Sequence, residues 1–166
     1  NAPHDPRQSP KSFVDLYPPD KVAVPDNFLP SNPHKDEIGC EHTLRDERLA
    51  PDPRTPHAVQ PRRAEWWALI PCLYEPLGPV LDALDGRGEA AFTGGLLAGD
   101  NGLSVGQHGF MGKQNMYEHS MKVPLLMVGP GVPKGRRVDA PVYLQDIMPT
   151  ALELARVPVP PHVRFR

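Results

Sequence analysis

The sequence predicts an α/β fold that also carries long, proline-rich irregular segments. Three observations lead to this prediction. The apolar run Val123 to Val128 ends at a glycine and has the character of a buried strand. The apolar residues between Leu144 and Val157 fall on one face of a helix. Proline provides 23 of the 166 residues, well above the usual share of roughly 5%.

Length and charge narrow the possible function classes. The chain is long enough for one domain with a core, and its net charge of -2 argues against general nucleic-acid binding. No window reaches the ~18 apolar residues of a membrane span. The first residues lack an initiator Met, a basic start and an apolar stretch, so we expect no signal peptide. The two cysteines, Cys40 and Cys72, are too few for a disulfide framework. Compartment and oligomeric state stay open.

Residues 1–56 are predicted to form an irregular excursion, and residues 57–166 the α/β part. The first 61 residues contain 12 prolines and show almost no hydrophobic periodicity. Composition alone slightly favours disorder for such a segment. The alternative is an ordered excursion over the surface of a larger enzyme.

The best helical pattern begins at His57. We expect a helix from His57 to Ile70, followed by a kinked or broken continuation, because each interior proline removes a backbone hydrogen bond. Apolar residues step by three and four along this region and form one stripe. The stripe consists of Trp66, Ile70, Leu73, Leu77, Val80, Leu81 and Leu84, and the interrupting prolines are Pro71, Pro76 and Pro79.

Further elements follow in the second half of the chain. Residues 92–98 predict a short strand that leads into Asp100, although two glycines weaken it. Residues 139–143 are expected to form a brief strand or a turn. The helix predicted over 144–157 has Pro149 near its first turn, where proline is tolerated.

The polar residues of the loop over positions 99–122, hereafter the site loop, predict a site for a metal and a small anion. Asp100 and Asn101 offer a carboxylate and an amide oxygen, which suit a hard cation. By itself, Asp-Asn-Gly is also a common turn sequence. Lys113 follows a run of glycines and can place its charge on an anion, although a lone lysine is usually only solvated.

These motifs resemble the sulfatase family, in particular its arylsulfatase and choline-sulfatase-like members. The resemblance extends to Pro-His-Asp-Pro at positions 3–6, to residues 44–51 and to residues 143–155. It implies an alkaline-phosphatase-like fold, present here in part. It also implies that the full-length protein hydrolyses a small-molecule sulfate ester, whereas this chain alone is expected to be inactive.

The resemblance also implies a role for each candidate residue. Asp100 and Asn101 would bind Ca²⁺ or Mg²⁺. Lys113 would contact the sulfate group. His4 would contact the ester oxygen and protonate the leaving group, which makes His4 and Lys113 both catalytic and substrate-binding. His108 would support the site loop through hydrogen bonds.

The nucleophile of the family is a formylglycine made from Cys or Ser in a Cys/Ser-x-Pro/Ala-x-Arg motif. Cys40, Cys72 and Ser31 do not match this motif, so the formylglycine is expected in an N-terminal part outside this chain, together with further metal ligands. Two alternatives to the enzyme fragment stay open. One is a non-catalytic or degraded sulfatase-like module, and the other is a related metal-dependent phosphoester hydrolase.

A competing motif overlaps the predicted site. Residues 102–106 match the Gly-x-Ser-x-Gly nucleophile elbow, with Asp139 or Asp146 and then His162 in the right order for a triad. An elbow requires a helix directly after the serine. The following Gln-His-Gly is a poor helix start, which favours the sulfatase interpretation.

Overall fold

The structure, a computed structural model, describes residues 3–40 and 43–165. The described chain forms two compact units. The first unit combines residues 1–83 with 101–123, and the second combines residues 84–100 with 124–166, each as far as it is described. The sequence predicted a single domain that divides into an irregular segment, residues 1–56, and an α/β part, residues 57–166. That division stays a prediction.

The proline-rich N-terminal segment contains short helices connected by turns. Helices α1 (Lys11–Val14) and α2 (Lys35–Ile38) alternate with 3-10 turns at Pro19–Lys21 and Asp46–Leu49. Gly39 ends α2 in the left-handed conformation, with φ of 76°. The segment is an ordered excursion, and not the disordered one that composition slightly favoured, because many of its side chains are buried. These are Val22, Asn32, Lys35, Cys40, Asp46, Glu47, Ala50 and Arg54.

The long helix α3 (Pro56–Tyr74) follows this segment. The hydroxyl of Thr55 accepts a hydrogen bond from the backbone N–H three residues on, and proline occupies the first helical position. The helix was expected up to about Ile70, with a kinked or broken continuation. It runs unbroken past Pro71 to Tyr74, and the continuation after the break is α4 (Leu77–Gly86). The helix contains two interior prolines, Pro61 and Pro71, and the rest of its 19 residues tolerate the backbone hydrogen bond that each one removes. The break comes before Pro76.

The buried residues of α3 are Val59, Ala64, Ala68 and Leu69. They do not share one face, since successive residues turn by about 100° around a helix. The predicted apolar stripe is not the buried part of the helix, since most of its residues on α3 and on α4 are exposed. Val59 packs on the site loop, and α1 also contacts α3. Which residues become buried depends on partners distant in sequence, which helical periodicity does not reveal.

The core of the first unit connects α3 to the predicted site loop. Val59 packs in one buried cluster with Ala50, Val105 and Met111. Phe110, which directly precedes Met111 in the chain, is also fully buried. A short helix, α5 (Glu118–Met121), follows the loop. Two of the four cluster residues belong to the loop, so its backbone is fixed by packing.

The second unit contains a two-stranded antiparallel sheet. Strand β1 (Gly95–Ala98) pairs with β2 (Leu125–Val128), and Gly95 lies opposite Val128. Both strands are shorter than predicted, because residues 90–92 form a 3-10 turn and pairing begins only at residue 95. The expectation that the 123–128 run is buried is wrong. Leu126 is 54% exposed and Val128 is 59% exposed.

The C-terminal helix confirms the last predicted element. A 3-10 turn at Leu144–Asp146 leads into α6 (Ile147–Leu154), in which Pro149 is the third residue. Residues 139–143 contain a bend and no strand. Within residues 3–40 and 43–165, no helix has the length and apolar character needed to cross a bilayer.

Candidate functional site

The site loop of the first unit folds back on itself through backbone hydrogen bonds. The N–H of Gly102 donates to the carbonyl of Ser120 over 2.8 Å, and the N–H of Ser104 donates to the carbonyl of Gly112 over 2.8 Å. These two bonds tie the start of the loop to its end. Lys113 follows directly and is half-buried.

Two glycines of the loop are required by close backbone approach. A Cβ at Gly102 would lie 2.0 Å from the carbonyl oxygen of His119. Gly109 has φ of 82°, and a Cβ there would lie 2.6 Å from the backbone nitrogen of Asn32. Because a side chain at either position would collide with backbone, the glycines after Asn101 and His108 determine the path of the loop.

A chain of polar contacts connects His4 with Lys113. The guanidinium of Arg45 lies 3.2 Å from Nδ1 of His4 and bonds to Oδ1 of Asp46 at 2.9 and 2.8 Å. The other carboxylate oxygen of Asp46 accepts a hydrogen bond from Gln114 over 3.2 Å. The side-chain oxygen of Gln114 accepts from the backbone N–H of Lys113 over 3.0 Å. Two predicted site residues, 109 positions apart, therefore belong to one network.

Asp46 is the buried centre of this network, with only 4% of its surface exposed. Burial alone would raise the pKa of its carboxyl group. Hydrogen bonds from Arg45 and Gln114, with the positive charges of Arg45 and Lys113, outweigh that effect and lower the pKa of Asp46. The carboxylate is therefore ionised at neutral pH and holds Arg45 in place.

A second buried acidic group, Glu47, binds the backbone of the site loop. Glu47 pairs with Arg54, and both side chains are almost fully buried. The Glu47 carboxylate also accepts from the backbone N–H of Met111 over 3.1 Å. Arg54 donates to backbone carbonyls on both sides, including Glu47 over 2.9 Å and Gly109 over 3.2 Å. This pair connects the turn that carries Arg45 to the loop that carries Lys113.

His108 occupies a supported position on the loop. Its backbone lies in the left-handed region, with φ of 52°. Its Nε2 lies 3.0 Å from the side-chain nitrogen of Asn27, and its carbonyl accepts from Asn32 over 3.0 Å. Its ring stacks on Tyr117 with centroids 4.2 Å apart. These contacts fit the expected supporting role, which stays a prediction.

His119 pairs with Ser104. Oγ of Ser104 lies 2.5 Å from Nε2 of His119, and Ser104 is fully buried. Burial, with the neighbouring His108, lowers the pKa of His119. An elbow nucleophile must be exposed and followed by a helix. Ser104 satisfies neither condition, so the structure rules out the nucleophile elbow.

Asp100 and Asn101 directly follow β1 and Gly99. Both residues are exposed. Asp100 ends a segment of the second unit, and Asn101 begins a segment of the first. Among the described residues, no three His, Cys, Asp or Glu side chains converge on a common point. The proposed metal pair thus supplies two oxygen donors of the kind that Ca²⁺ and Mg²⁺ prefer.

The sequence did not single out Arg45, Asp46 or Gln114 as site residues. Their contacts join residues 41 and 68 positions apart. Residues 44–51 belong to the family resemblance, but that resemblance gave no role to the adjacent opposite charges at positions 45 and 46. Such a pair is usually solvated, so the signal alone did not justify a prediction.

Comparisons with known proteins support the sequence resemblance. Residues 106–165 match the family model described as N-sulphoglucosamine sulphohydrolase, C-terminal. A sulfatase from Formosa agariphila is 34% identical over 92% of this chain and 30% of its own length. Arylsulfatase K from Gallus gallus is 38% identical over 63% of this chain and 20% of its own length. Choline-sulfatase from Rhizobium meliloti is 30% identical over 93% of this chain and 30% of its own length.

The fold also has a relative among solved structures. A phosphonate monoester hydrolase from Silicibacter pomeroyi superposes with a TM-score of 0.76 and 26% identity. The match covers 99% of this chain and 34% of that protein. The chain thus spans about a fifth to a third of the length of these relatives.

Proposed function

Because the chain belongs to the sulfatase family, we propose that the full-length protein hydrolyses a sulfate ester of a small molecule. The fold is α/β and alkaline-phosphatase-like. In this reaction the bond between sulfur and the ester oxygen breaks, and the ester oxygen leaves with the electron pair. This chain contributes part of the site at which that bond is broken.

One observation carries the proposal beyond the family resemblance. His4 and Lys113, proposed to contact the ester oxygen and the sulfate group, are joined through Arg45, Asp46 and Gln114. Two groups that act on one small substrate must be held at a fixed separation. The network, with its buried and ionised centre, supports this by holding His4 through Arg45 and the backbone of Lys113 through Gln114. The Lys113 ammonium would offset negative charge on the sulfate oxygens.

Asp100 and Asn101 are proposed to hold Ca²⁺ or Mg²⁺. Two donors fall short of the roughly six to eight oxygen ligands that calcium takes, so the remaining ligands would come from outside this chain. When bound, the ion would offset charge on the sulfuryl oxygens. A formylglycine from outside this chain would supply the attacking oxygen. The residues described here would bind and orient the ester.

The proposal is tested with the purified full-length protein and p-nitrophenyl sulfate. We expect hydrolysis that depends on added Ca²⁺ or Mg²⁺. Lys113→Ala should lower kcat/KM by about 100-fold or more, as removal of a charge-stabilising donor does in other enzymes. Lys21→Ala is the matched control, since Lys21 is an exposed lysine of the same unit, and it should leave the rate unchanged.

The structural relative suggests the comparison substrate. The same protein should be assayed on a p-nitrophenyl phosphonate and on p-nitrophenyl phosphate, since the superposed protein is a phosphonate monoester hydrolase. A higher kcat/KM for either phosphorus ester than for the sulfate ester would overturn the proposed substrate class. No hydrolysis of any of the three would favour a non-catalytic module.

A further inference from the structure

Arg45 and Asp46 form an ion pair whose two members differ sharply in exposure. The side chain of Asp46 is 5% exposed, whereas that of Arg45 is 69% exposed. The buried carboxylate accepts a hydrogen bond from Arg45 at one oxygen and from Gln114 at the other. Solvent or a bound ester therefore meets the guanidinium of this pair and not its carboxylate, so the accessible side of the pair is positively charged.

The exposed guanidinium is nevertheless fixed in orientation. Its Nε and Nη2 atoms contact Oδ1 of Asp46 at 2.9 and 2.8 Å. Because a guanidinium is planar and rigid, two contacts along one edge determine the orientation of the whole group. A cation that is already ordered loses less conformational entropy when a ligand binds than a freely moving side chain does.

A second edge of the guanidinium lies beside His4. The Nη2 atom that contacts Asp46 also lies 3.2 Å from Nδ1 of His4. The other terminal nitrogen, Nη1, belongs to this same edge and carries two N–H donors. Within residues 3–40 and 43–165, no acceptor contacts Nη1. The chain therefore presents an oriented pair of donors with positive charge next to His4.

We propose that Arg45 is a substrate-binding residue that selects sulfate esters whose leaving group carries a carboxylate. The inference rests on the proposed function, in which His4 contacts the ester oxygen and Lys113 the sulfate group. The leaving group extends from the ester oxygen, so a cation beside His4 lies where a substituent of the leaving group can reach it. A guanidinium matches a carboxylate in charge and in the planar arrangement of its donors. It repels a leaving group that carries a quaternary ammonium.

The selectivity is tested with the purified full-length protein and matched aryl sulfates. The 3-carboxyphenyl and 4-carboxyphenyl sulfates place the carboxylate at two distances from the ester oxygen, and the methyl ester of each is its neutral counterpart. For at least one pair, we expect kcat/KM of the carboxylate to exceed that of the methyl ester by about tenfold or more, the scale of a hydrogen bond between charged groups. Chemical reactivity alone favours the methyl esters, because an ester group withdraws electrons more strongly than a carboxylate does. Equal values, or a preference for the methyl ester in both pairs, would overturn the inference.

The contribution of Arg45 is measured as the ratio of kcat/KM between the carboxylate and its methyl ester. Arg45→Gln should bring this ratio close to one, although both rates should fall because Arg45 also contacts His4. Arg45→Lys keeps the charge without the planar fork and should retain part of the preference. Arg48→Gln is the matched control, since Arg48 is an exposed arginine of the same turn, and it should keep the wild-type ratio. An unchanged ratio in Arg45→Gln would show that Arg45 only positions the site, and would overturn the inference.

A cationic ester separates this inference from the proposed function. We expect 3-(trimethylammonio)phenyl sulfate to have a lower kcat/KM than 3-carboxyphenyl sulfate, although its leaving group is the more reactive one. The opposite order in the wild-type protein would contradict the role of Arg45. Hydrolysis of all these esters without a preference for charge would overturn this inference and leave the proposed function standing. Hydrolysis of none of them would overturn both.

Discussion

Arg54 and Glu47 form an ion pair from which solvent is almost fully excluded, with 0% and 1% of the two side chains exposed. Arg54 also donates to three backbone carbonyls of the turn around it, and Glu47 accepts from the loop that carries Lys113. Each of the three guanidinium nitrogens of Arg54 donates to an oxygen. The pair therefore fixes backbone in two segments that the sequence separates by about sixty residues.

Breaking this pair should destabilise the protein strongly. Arg54→Met leaves the Glu47 carboxylate buried without its partner, which typically costs about 3 to 5 kcal/mol. Urea unfolding of the full-length protein measures the loss. Lys11→Ala is the control, because it breaks the exposed pair with Asp15 and should cost less than about 1 kcal/mol. Similar losses in the two variants would show that burial of the pair carries no special weight.

Gly102 should tolerate no side chain. A Cβ at this position would meet the carbonyl oxygen of His119 at 2.0 Å, so Gly102→Ala must push two backbone segments apart. We expect a loss of at least about 1 to 3 kcal/mol, the usual cost of overpacking. Gly78→Ala is the opposite control. Gly78 lies in α4 with open space around it, and alanine should stabilise the helix by up to about 1 kcal/mol. Thermal melting should therefore show a lower melting temperature for Gly102→Ala than for wild type, and no decrease for Gly78→Ala.

The sequence predicted those elements whose signals are local. The helix of residues 144–157 and the strand of residues 123–128 both occur, although they are shorter than predicted. Their apolar patterns and flanking glycines or prolines lie within a few residues of each element. The length of α3 was missed, because the cost of Pro71 was judged from the local chain and the helix continues on both sides of it.

The candidate site was predictable only in its individual residues. His4, Lys113 and the Asp100-Asn101 pair were chosen from motifs, and the motifs say nothing of what holds them. The supporting role of Arg45 depends on a contact with His4, 41 positions away. Contacts of this kind follow from how an irregular segment is packed. No hydrophobic periodicity encodes them.

Acidic pH should weaken the protein through His119. Burial, with the neighbouring His108, lowers the pKa of His119 below its ordinary value of 6.5. The unfolded chain therefore binds this proton at higher pH than the folded chain does. The contribution of the neutral ring to stability is complete above about pH 6.5 and is lost as the pH falls towards the lowered pKa of the folded state. The free energy of unfolding, measured between pH 5 and 8, should decrease less steeply with falling pH in His119→Gln than in wild type. An unchanged slope would contradict the assignment.

Metal binding at Asp100 and Asn101 should be visible as thermal stabilisation of the full-length protein. A ligand that binds only the folded state stabilises it by an amount that grows with the logarithm of the ligand concentration relative to Kd, and so raises the melting temperature. We expect Ca²⁺ to raise the melting temperature of the chelator-treated protein, and we expect Asp100→Ala to remove most of that rise. Asp139→Ala is the matched control, since Asp139 is an exposed acid of the second unit that pairs with Arg137. If Asp100→Ala and Asp139→Ala respond to Ca²⁺ as wild type does, the ion binds elsewhere, and the acid–amide pair after β1 is only a turn.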